Sequence, residues 1–382
     1  MKKNLFVFTI NCDWRDIFRS ARQEFEDKMR RDHLGVEKNI FFILSFARVS
    51  YQAGFKNYRT VHLRTRLDWF RPLLDLRAFF SVIYYALSNK LQPDIWLAYD
   101  FGFLPALWLA RLFLGGRIVM VLTNQPRVYS RTRNWGAIKS IYSALLEKLF
   151  HSLPDQFMTI NETMRAYLMS LGVSEKKISV FYTNTIKRDE ELIAHSVLGR
   201  ARSRLDLAVD VKILLSVARL EAEKNFPRLL ELFASLDKNC VLVILGQGSL
   251  LLELRKQAEL LGIAERVFFE GWVDREGIWD YYRDANLFIL LSKAEALGIV
   301  FWEAMYLGVP ALGSTVSGIM ETIGQDGERG RLWDEAEGAD TFRSKVDFCL
   351  TPSHQREEMI ARAKDYVVVQ IANPVTLNSL FL

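Results

Sequence analysis

The apolar residues of this 382-residue chain recur as short runs of strand length, each followed by a segment with helical spacing. The alternation is clearest toward the C-terminus, in runs such as Lys212–Val217, Val241–Leu245 and Leu287–Leu291. Parallel strands need a long crossover, usually a helix, so strands that alternate with helices favour a parallel sheet. The pattern therefore predicts an α/β protein built from doubly wound parallel sheets.

The length of the chain suits two domains of ordinary size, and the elements fall into two groups. Residues 1–186 are expected to form an N-terminal Rossmann-like domain, and residues 208–365 a C-terminal one. Residues 187–207 are charged, weakly helical and without a strand signal, which indicates a linker. Residues 366–382 are a C-terminal segment, either free or packed back on the N-terminal domain.

Charge is divided unevenly between the two halves. Residues 1–200 carry 30 of the 50 Lys and Arg residues and 18 of the 45 Asp and Glu residues, a net charge of +12, and the remainder carries −7. A basic half favours an anionic partner. Because no nucleic-acid-binding motif is present, that partner is an anionic lipid or an anionic acceptor. The longest apolar runs, such as Ile40–Leu44, are far short of the ~20 residues that a transmembrane helix requires.

The most informative stretch is 287–323, where a strand, a loop, a helix and another strand follow one another. Glu295 lies in the loop, Glu303 lies in the helix, and Gly298 stands where the helix begins. The first N–H groups of a helix have no partner inside it and attract anions, while carboxylates accept hydrogen bonds from sugar hydroxyls. The stretch indicates a turn that binds a diphosphate and a sugar. Two solvated surface glutamates are the plainer interpretation.

The segment from Glu295 to Glu303, followed by Gly308-Val309-Pro310, resembles the E-x7-E motif of family 4 glycosyltransferases. Similar elements precede it in that family's order, namely Ala218-Arg219-Leu220 with Lys224, Gly246-Gln247-Gly248 and Gly271-Trp272-Val273. The resemblance covers residues 212–333. It implies the GT-B fold, in which two Rossmann-like domains face a cleft and the C-terminal domain holds the donor.

Three positions depart from the family pattern. Ala218 stands where Gly is usual, and Asn225 stands where Gly often follows the Lys. The segment Asn11–Trp14 replaces a Gly-Gly loop after the first strand. Neither Ala218 nor Asn225 removes a charge from the candidate site.

The resemblance implies a catalytic set of Glu295, Arg219, Lys224 and Asp100. Arg219 and Lys224 are expected to hold the donor diphosphate, and Glu303 to accept hydrogen bonds from the ribose. The implied donor-binding residues are Arg219, Lys224, Gly246, Trp272, Val273, Glu295, Leu297, Gly298, Ile299 and Glu303. Plainer alternatives are ordinary surface cations for Arg219 and Lys224, a helix N-cap for Asp100, and an aromatic that closes the core for Trp272.

The resemblance also implies a function: a retaining glycosyltransferase that moves a hexose from a UDP- or GDP-linked donor to a glycan or lipid-linked acceptor. No permanently bound cofactor, metal ion or nucleic acid is expected. The implied location is cytoplasmic, either free or peripheral on the inner face of the membrane. The alternatives are a sugar-nucleotide epimerase of the same architecture and a non-catalytic subunit that binds a nucleotide sugar.

Two basic clusters with interleaved aromatic residues favour the membrane as a partner. They are Arg64, Arg66, Arg71 and Arg77 with Trp69 and Phe70, and Arg127, Arg131 and Arg133 with Tyr129 and Trp135. Each basic residue near an anionic leaflet contributes about 1 kcal/mol, and aromatic rings favour the headgroup level. The alternative is that both clusters bind an anionic, soluble acceptor.

Overall fold

The computed structural model of the chain divides into two compact units, built on Met1–Phe181 and on Tyr182–Pro374. It describes the backbone of 3–10 and 36–44, and residues 80, 83, 84, 87, 88, 92–98, 104–122, 145, 147–180, 186 and 189–372. The first loop, Asn11–Trp14, the candidate Asp100 and both basic aromatic clusters lie outside these residues.

The first unit contains a six-stranded sheet whose described pairs are all parallel. The strand order is β2-β1-β3-β4-β5-β6. The strands are β1 (Lys3–Ile10), β2 (Val36–Leu44), β3 (Ile95–Ala98), β4 (Arg117–Leu122), β5 (Gln156–Thr159) and β6 (Ile178–Val180). Helices α1 (Leu104–Leu114) and α2 (Glu162–Ser170) and the 3₁₀ turn Glu175–Lys177 lie between them.

The described core of this unit gathers around Trp96, which is fully buried on β3. Its indole Nε1 donates to the carbonyl of Gly115, 2.7 Å away, in the turn that ends α1. A Cβ on Gly116 would lie 2.6 Å from the carbonyl oxygen of Pro93, so only glycine lets this turn pack so closely. Asn161 caps α2 by accepting a 2.7 Å hydrogen bond from the backbone N–H of Met164.

The second unit contains another six-stranded sheet, again with every described pair parallel. Its order is β12-β11-β10-β7-β8-β9. The strands are β7 (Lys212–Val217), β8 (Cys240–Leu245), β9 (Val267–Gly271), β10 (Leu287–Leu290), β11 (Ala311–Ser314) and β12 (Arg331–Trp333). All six residues of β8 are buried, because helices cover both faces of a parallel sheet.

Nine helices belong to the described part of this unit. They are α3 (Glu190–His195), α4 (Arg200–Arg204), α5 (Phe226–Phe233), α6 (Leu251–Leu260), α7 (Arg275–Asp284), α8 (Ile299–Tyr306), α9 (Ser317–Ile323), α10 (Gly338–Leu350) and α11 (His354–Ala372). Short 3₁₀ turns occur at Ala222–Lys224, Ala264–Arg266 and Glu335–Glu337. None of the helices in the described residues is long and apolar enough to cross a membrane.

The stretch predicted as a linker, 187–207, differs from that prediction where it is described. It forms α3 and α4, and both helices contact α7 of the second unit. The reason is a pair of buried carboxylates on α7: Asp280 accepts from the N–H of Val197 at 2.7 Å, and Asp284 from the N–H of Arg202 at 2.8 Å. These bonds satisfy backbone groups of the charged stretch, so it packs as part of the second unit.

The predicted boundary at residue 365 falls inside α11. Val367 on this helix is fully buried, and the ring of Tyr366 meets that of Trp302 edge to face. Residues 366–372 therefore pack on the second unit rather than beginning a separate segment. The remaining residues, 373–382, lie outside the described part of the chain.

Candidate active site

The candidate site lies where the connections of the second sheet reverse direction. From β7 the chain moves outward through β8 to β9, then crosses to the other side of β7 and continues through β10 and β11 to β12. Parallel strands present their carboxyl ends at the same edge, so the loops after β7 and β10 diverge there and leave a crevice. Such a switch point is where open α/β sheets bind ligands.

Lys224 and Glu295 meet across this crevice. Lys224 ends the 3₁₀ turn after β7, and Glu295 lies in the loop after β10. The ammonium Nζ donates to Oε2 of Glu295 at 2.5 Å, and each side chain is 15% exposed. The sequence pattern predicted both residues in one site, and the structure brings their side chains into contact. An ammonium has three donors, so Lys224 keeps donors for a further anion.

Arg219 lies nearer the end of β7 and is more open. Its Nη2 lies 3.0 Å from Oε1 of Glu223, and the side chain is 54% exposed. An exposed pair of this kind contributes little to stability. The guanidinium is therefore held beside the crevice by a partner that it can exchange for a phosphate at small cost.

The two loops are fixed to each other and to the sheet by hydrogen bonds. The backbone N–H of Lys293 donates to the carbonyl of Glu223 at 2.8 Å, which joins the loops directly. The Ser314 hydroxyl donates to the carbonyl of Ser292 at 2.6 Å. A Cβ on Gly318 would lie 2.4 Å from the carbonyl oxygen of Glu295, so α9 begins in close contact with that loop. The positions of the charged side chains are consequently set before any ligand arrives.

Gly298 turns the chain from the loop into α8. Its φ of 69° and ψ of 49° are left-handed, which favours glycine. No side chain caps this helix end, so the first N–H groups of α8 have no capping oxygen from a side chain. Leu297, just before the turn, is buried, and its carbonyl accepts from Thr322 at 2.8 Å.

The departures from the family pattern after β7 have a structural reason. Asn225 adopts φ 56° and ψ 33°, the left-handed region that a glycine would also satisfy, and Asn is among the residues that tolerate it best. Among the described non-glycine residues, positive φ occurs only at Asp206 and Asn225. Ala218 is not one of them, so its Cβ causes no backbone strain.

Gly246 and Gly248 are required by close packing of two loops. A Cβ on Gly246 would lie 1.9 Å from the carbonyl oxygen of Ala218, and one on Gly248 would lie 2.3 Å from that of Leu220. The backbone N–H of Leu220 donates to the carbonyl of Gln247 at 2.9 Å. Gly246 thus supports the loop that carries Arg219, and a direct contact with the donor stays a prediction.

Trp272 and Val273 follow β9 at the same edge of the sheet. Trp272 is 60% exposed, so its ring does not close the core. Val273 is half-buried, and its side chain lies 3.2 Å from the place a Cβ would take on Gly277. An exposed indole at this edge of the sheet offers a flat apolar surface to a ring.

Glu303 lies deeper than the other charged candidates, on α8, and is 2% exposed. Its Oε1 lies 2.8 Å from Nη1 of Arg275, and its Oε2 accepts a 2.8 Å hydrogen bond from the hydroxyl of Tyr282. Nε of Arg275 donates in turn to Asp189 at 2.7 Å. The sequence pattern predicted Glu303 but not its two partners, Arg275 and Tyr282, nor Asp189 behind Arg275.

The charges in this cluster shift the pKa values of its members. Burial lowers the pKa of Arg275, but the carboxylates of Glu303 and Asp189 outweigh burial and raise it overall. Burial and the negative charge of Glu303 raise the pKa of Tyr282 well above its usual value. Arg275 is therefore charged and Tyr282 neutral at any physiological pH, and both act as hydrogen-bond donors to Glu303.

No group of three or more His, Cys, Asp and Glu side chains with metal-binding geometry occurs within the residues that the structure describes. The candidate site is instead built from two cations, two carboxylates and an uncapped helix end. Such a set binds an anion together with hydroxyl groups.

Residues 200–366 match the family described as "Glycosyl transferases group 1". The matched residues lie within the second unit, which contains the candidate site. The matched region includes every predicted donor-binding residue from Arg219 to Glu303. Asp100 lies outside it.

Two curated proteins are similar over part of their length. An uncharacterized glycosyltransferase of Methanocaldococcus jannaschii is 28% identical over 214 residues, 55% of this chain and 54% of that protein. The alpha-monoglucosyldiacylglycerol synthase of Streptococcus pneumoniae is 29% identical over 177 residues, 45% of this chain and 40% of that protein. The chain thus spans about half the length of the curated relatives it matches.

Solved structures resemble nearly the whole chain. Anabaena Alr3699/HepE, in complex with UDP and glucose, superimposes with a TM-score of 0.70 and 16% identity, covering 99% of this chain and 98% of that one. At this identity the likeness shows the fold alone. The chain has the GT-B fold, which confirms the predicted pair of Rossmann-like parallel-sheet domains.

Proposed function

We propose that the protein is a retaining glycosyltransferase that transfers a sugar from a nucleotide-diphospho-sugar to a hydroxyl acceptor. One observation carries the proposal. Lys224 and Glu295 are paired at 2.5 Å at the switch point of the second sheet; Arg219 follows the same strand as Lys224, and the uncapped end of α8 follows Glu295 in the chain. The match of residues 200–366 to the group 1 glycosyltransferases and the UDP in a structurally similar protein support it.

The positive groups suit a diphosphate leaving group. Arg219 exchanges its exposed contact with Glu223 for a phosphate oxygen, and the free donors of Lys224 reach a second one. The helix end adds a partial positive charge. When the bond between the anomeric carbon and the phosphate oxygen breaks, its electrons stay on the diphosphate, and these groups stabilise the added charge.

Glu295 suits the transferred sugar. Its Oε2 is paired with Lys224, whereas its Oε1 accepts a long hydrogen bond, 3.3 Å, from the N–H of Ala296. That oxygen can accept hydrogen bonds from sugar hydroxyls. In the retaining reaction the acceptor oxygen bonds to the anomeric carbon on the face that the diphosphate leaves, and a donor phosphate oxygen takes the acceptor proton.

Nucleotide and sugar products measured together test this proposal. The protein is incubated with UDP- and GDP-linked hexoses, first alone and then with candidate acceptors, and the products are followed by NMR. We expect slow release of nucleoside diphosphate without acceptor and a glycoside with the donor's anomeric configuration when acceptor is present. An epimerised donor would support the epimerase instead, and an inverted glycoside would contradict the retaining mechanism.

We further propose a lipid-linked acceptor, because the first unit exposes large apolar side chains on helical faces. Phe80, Tyr84 and Leu87 recur at helical spacing and are all exposed. Trp108 and Leu112 on α1 are exposed too. Several large apolar side chains exposed on neighbouring helical positions are typical of an interaction surface. The similar synthase of Streptococcus pneumoniae carries diacylglycerol in its name.

Vesicle sedimentation tests the membrane part separately. We expect the protein to pellet with anionic vesicles at low salt, to be released as salt screens the attraction, and to ignore neutral vesicles. Leu112→Ser, on the exposed face of α1, should weaken pelleting, while Leu260→Ser, which is also exposed and lies on α6 of the second unit, serves as the control. Equal partition onto both kinds of vesicle, or onto neither, would contradict membrane attachment.

A further inference from the structure

Arg275 connects the buried Glu303 to Asp189, and no sequence motif points to this link. We propose that Arg275 is a positioning residue: it orients the Glu303 carboxylate so that its remaining lone pairs face the two ribose hydroxyls of the donor nucleotide. The inference rests on the proposed function, in which the second unit binds a nucleotide sugar. Arg275 itself touches no substrate.

The geometry at Glu303 leaves a specific acceptor surface. Arg275 occupies one lone pair of Oε1 at 2.8 Å, and the hydroxyl of Tyr282 occupies one of Oε2 at 2.8 Å. Each carboxylate oxygen has two lone pairs. One acceptor position on each oxygen therefore remains, and two donors on the protein fix the plane of the carboxylate. Two adjacent hydroxyls, as on a ribose, match two adjacent acceptors.

Arg275 is itself held from two sides. Its Nε donates to the carboxylate of Asp189, the residue just before α3, at 2.7 Å. Its guanidinium carbon lies 5.1 Å from the centre of the Trp279 ring. A planar guanidinium with one edge on Asp189 and another on Glu303 cannot rotate without breaking a contact. A lysine at this position would supply the positive charge but not the planar set of N–H donors that lets a guanidinium bind two carboxylates in a fixed geometry.

Stability alone is a poor explanation for this arrangement. Removing charges from water costs free energy that a buried ion pair barely recovers, and apolar side chains of similar size often serve a core equally well. A buried carboxylate with both oxygens directed is useful when its acceptor geometry must be fixed. Recognition of a diol requires such a fixed geometry, because both hydroxyls must find an acceptor.

The test compares a ribonucleotide with its analogue that lacks both hydroxyls. Dissociation constants for UDP and 2′,3′-dideoxy-UDP, or for the GDP pair if guanine is preferred, are measured by calorimetry on the full chain. The wild type should prefer the ribonucleotide by about tenfold or more, the worth of one to two charge-assisted hydrogen bonds. The ratio of the two constants is the readout, because a purely structural role for Arg275 would not change it.

Arg275→Met should reduce this preference several-fold while affinity for the dideoxy analogue stays within about twofold. Arg275→Lys should give an intermediate ratio and serves as the folded alternative if the methionine variant is unstable. The matched control is Arg283→Met on the same helix. Arg283 also ties α7 to the α3 region, through the carbonyl of Ile193 at 2.8 Å, but it does not touch Glu303. The ratio of dissociation constants for Arg283→Met should equal that of the wild type.

The outcomes separate the two proposals. An unchanged ratio in both Arg275 variants, or an equal fall in Arg283→Met, would overturn the positioning role and leave nucleotide binding intact. A wild type that binds ribo- and dideoxynucleotide equally would remove the ribose contact of Glu303 and this inference with it. A wild type that binds neither UDP nor GDP would contradict the proposed function itself.

Discussion

Glu295 and Glu303 belong to one loop and helix, but the first faces a crevice and the second lies inside the unit. Glu295 pairs through one oxygen with Lys224, and its other oxygen accepts a long hydrogen bond from the N–H of Ala296. Glu303 is 2% exposed and has both oxygens engaged by Arg275 and Tyr282. An ionic contact at a crevice can be exchanged for a ligand, whereas a buried network holds a group in place.

The largest expected effect comes from the crevice. Lys224→Met should lower turnover by about 100- to 1,000-fold, because the cation meets charge that develops on the leaving diphosphate. Stability should change little, since the ion pair that it removes is partly solvated. Turnover and the free energy of unfolding are both measured.

Lys256→Met is the control for that variant, because Lys256 is an exposed lysine on α6, away from the crevice. It should keep the turnover of the wild type. A Lys224→Met protein that unfolds readily but retains its activity per folded molecule would show that Lys224 is structural.

The next largest expected effect is a difference in unfolding free energy between variants of the two glutamates. Glu303→Gln places an amide NH₂ against Arg275 or Tyr282, which are both donors, so the variant should lose about 2 kcal/mol of unfolding free energy. The loss is smaller than for an isolated buried pair because Asp189 still balances Arg275. Glu295→Gln should lose about 0.5 kcal/mol or less. Urea denaturation measures both losses. Equal losses would show that the contacts of Glu303 stabilise the fold no more than the contact of Glu295 does.

The sequence predicted the crevice better than the network, for a physical reason. Lys212–Val217 and Leu287–Leu290 are short, mainly apolar runs, and their approximate bounds follow from hydrophobic pattern and turn residues. The residues that end such strands meet at one edge of the sheet, so Lys224 and Glu295 could be predicted together. Their contact follows from local pattern and strand order.

The network around Glu303 could not be predicted in this way. Arg275 and Tyr282 come from α7, and Asp189 lies in the charged stretch that is predicted to be a linker. Charged residues on a helix are usually solvated, and nothing local indicates that Arg275 points inward. Only the three-dimensional packing of α7 against α8 and the α3 region brings these groups together. The one relevant signal is the Glu itself, placed in an otherwise apolar helix.

Alkaline pH offers a finer test of the buried network. The pKa of Tyr282 is raised in the folded state, so its contribution to stability is fully present below about pH 10 and is lost as the pH rises beyond that. Tyr282→Phe lacks the ionisable group. The stability difference between wild type and this variant should be constant up to about pH 9.5, then shift against the wild type by about 1 kcal/mol per pH unit.

Urea denaturation of both proteins between pH 8 and 11 measures this difference. Tyr281, whose pKa is also raised by burial and by its hydrogen bond to Glu270, is present in both and cancels. A difference that stays constant to pH 11 would mean that Tyr282 does not remain neutral against the Glu303 carboxylate.

The smallest expected effect lies at Asn225, which sets the backbone beside Lys224. Asn225 is left-handed and its side chain makes no capping hydrogen bond to α5, so substitution isolates the conformational term. Asn225→Ala should lose about 1 kcal/mol of stability, because a Cβ without a polar group is strained in this region. Asn225→Gly should stay within about 0.5 kcal/mol of the wild type, since glycine accepts this conformation. Turnover should follow the same order, because the turn presents Lys224 to Glu295. If alanine and glycine variants match in both stability and turnover, the left-handed turn is not what places Lys224.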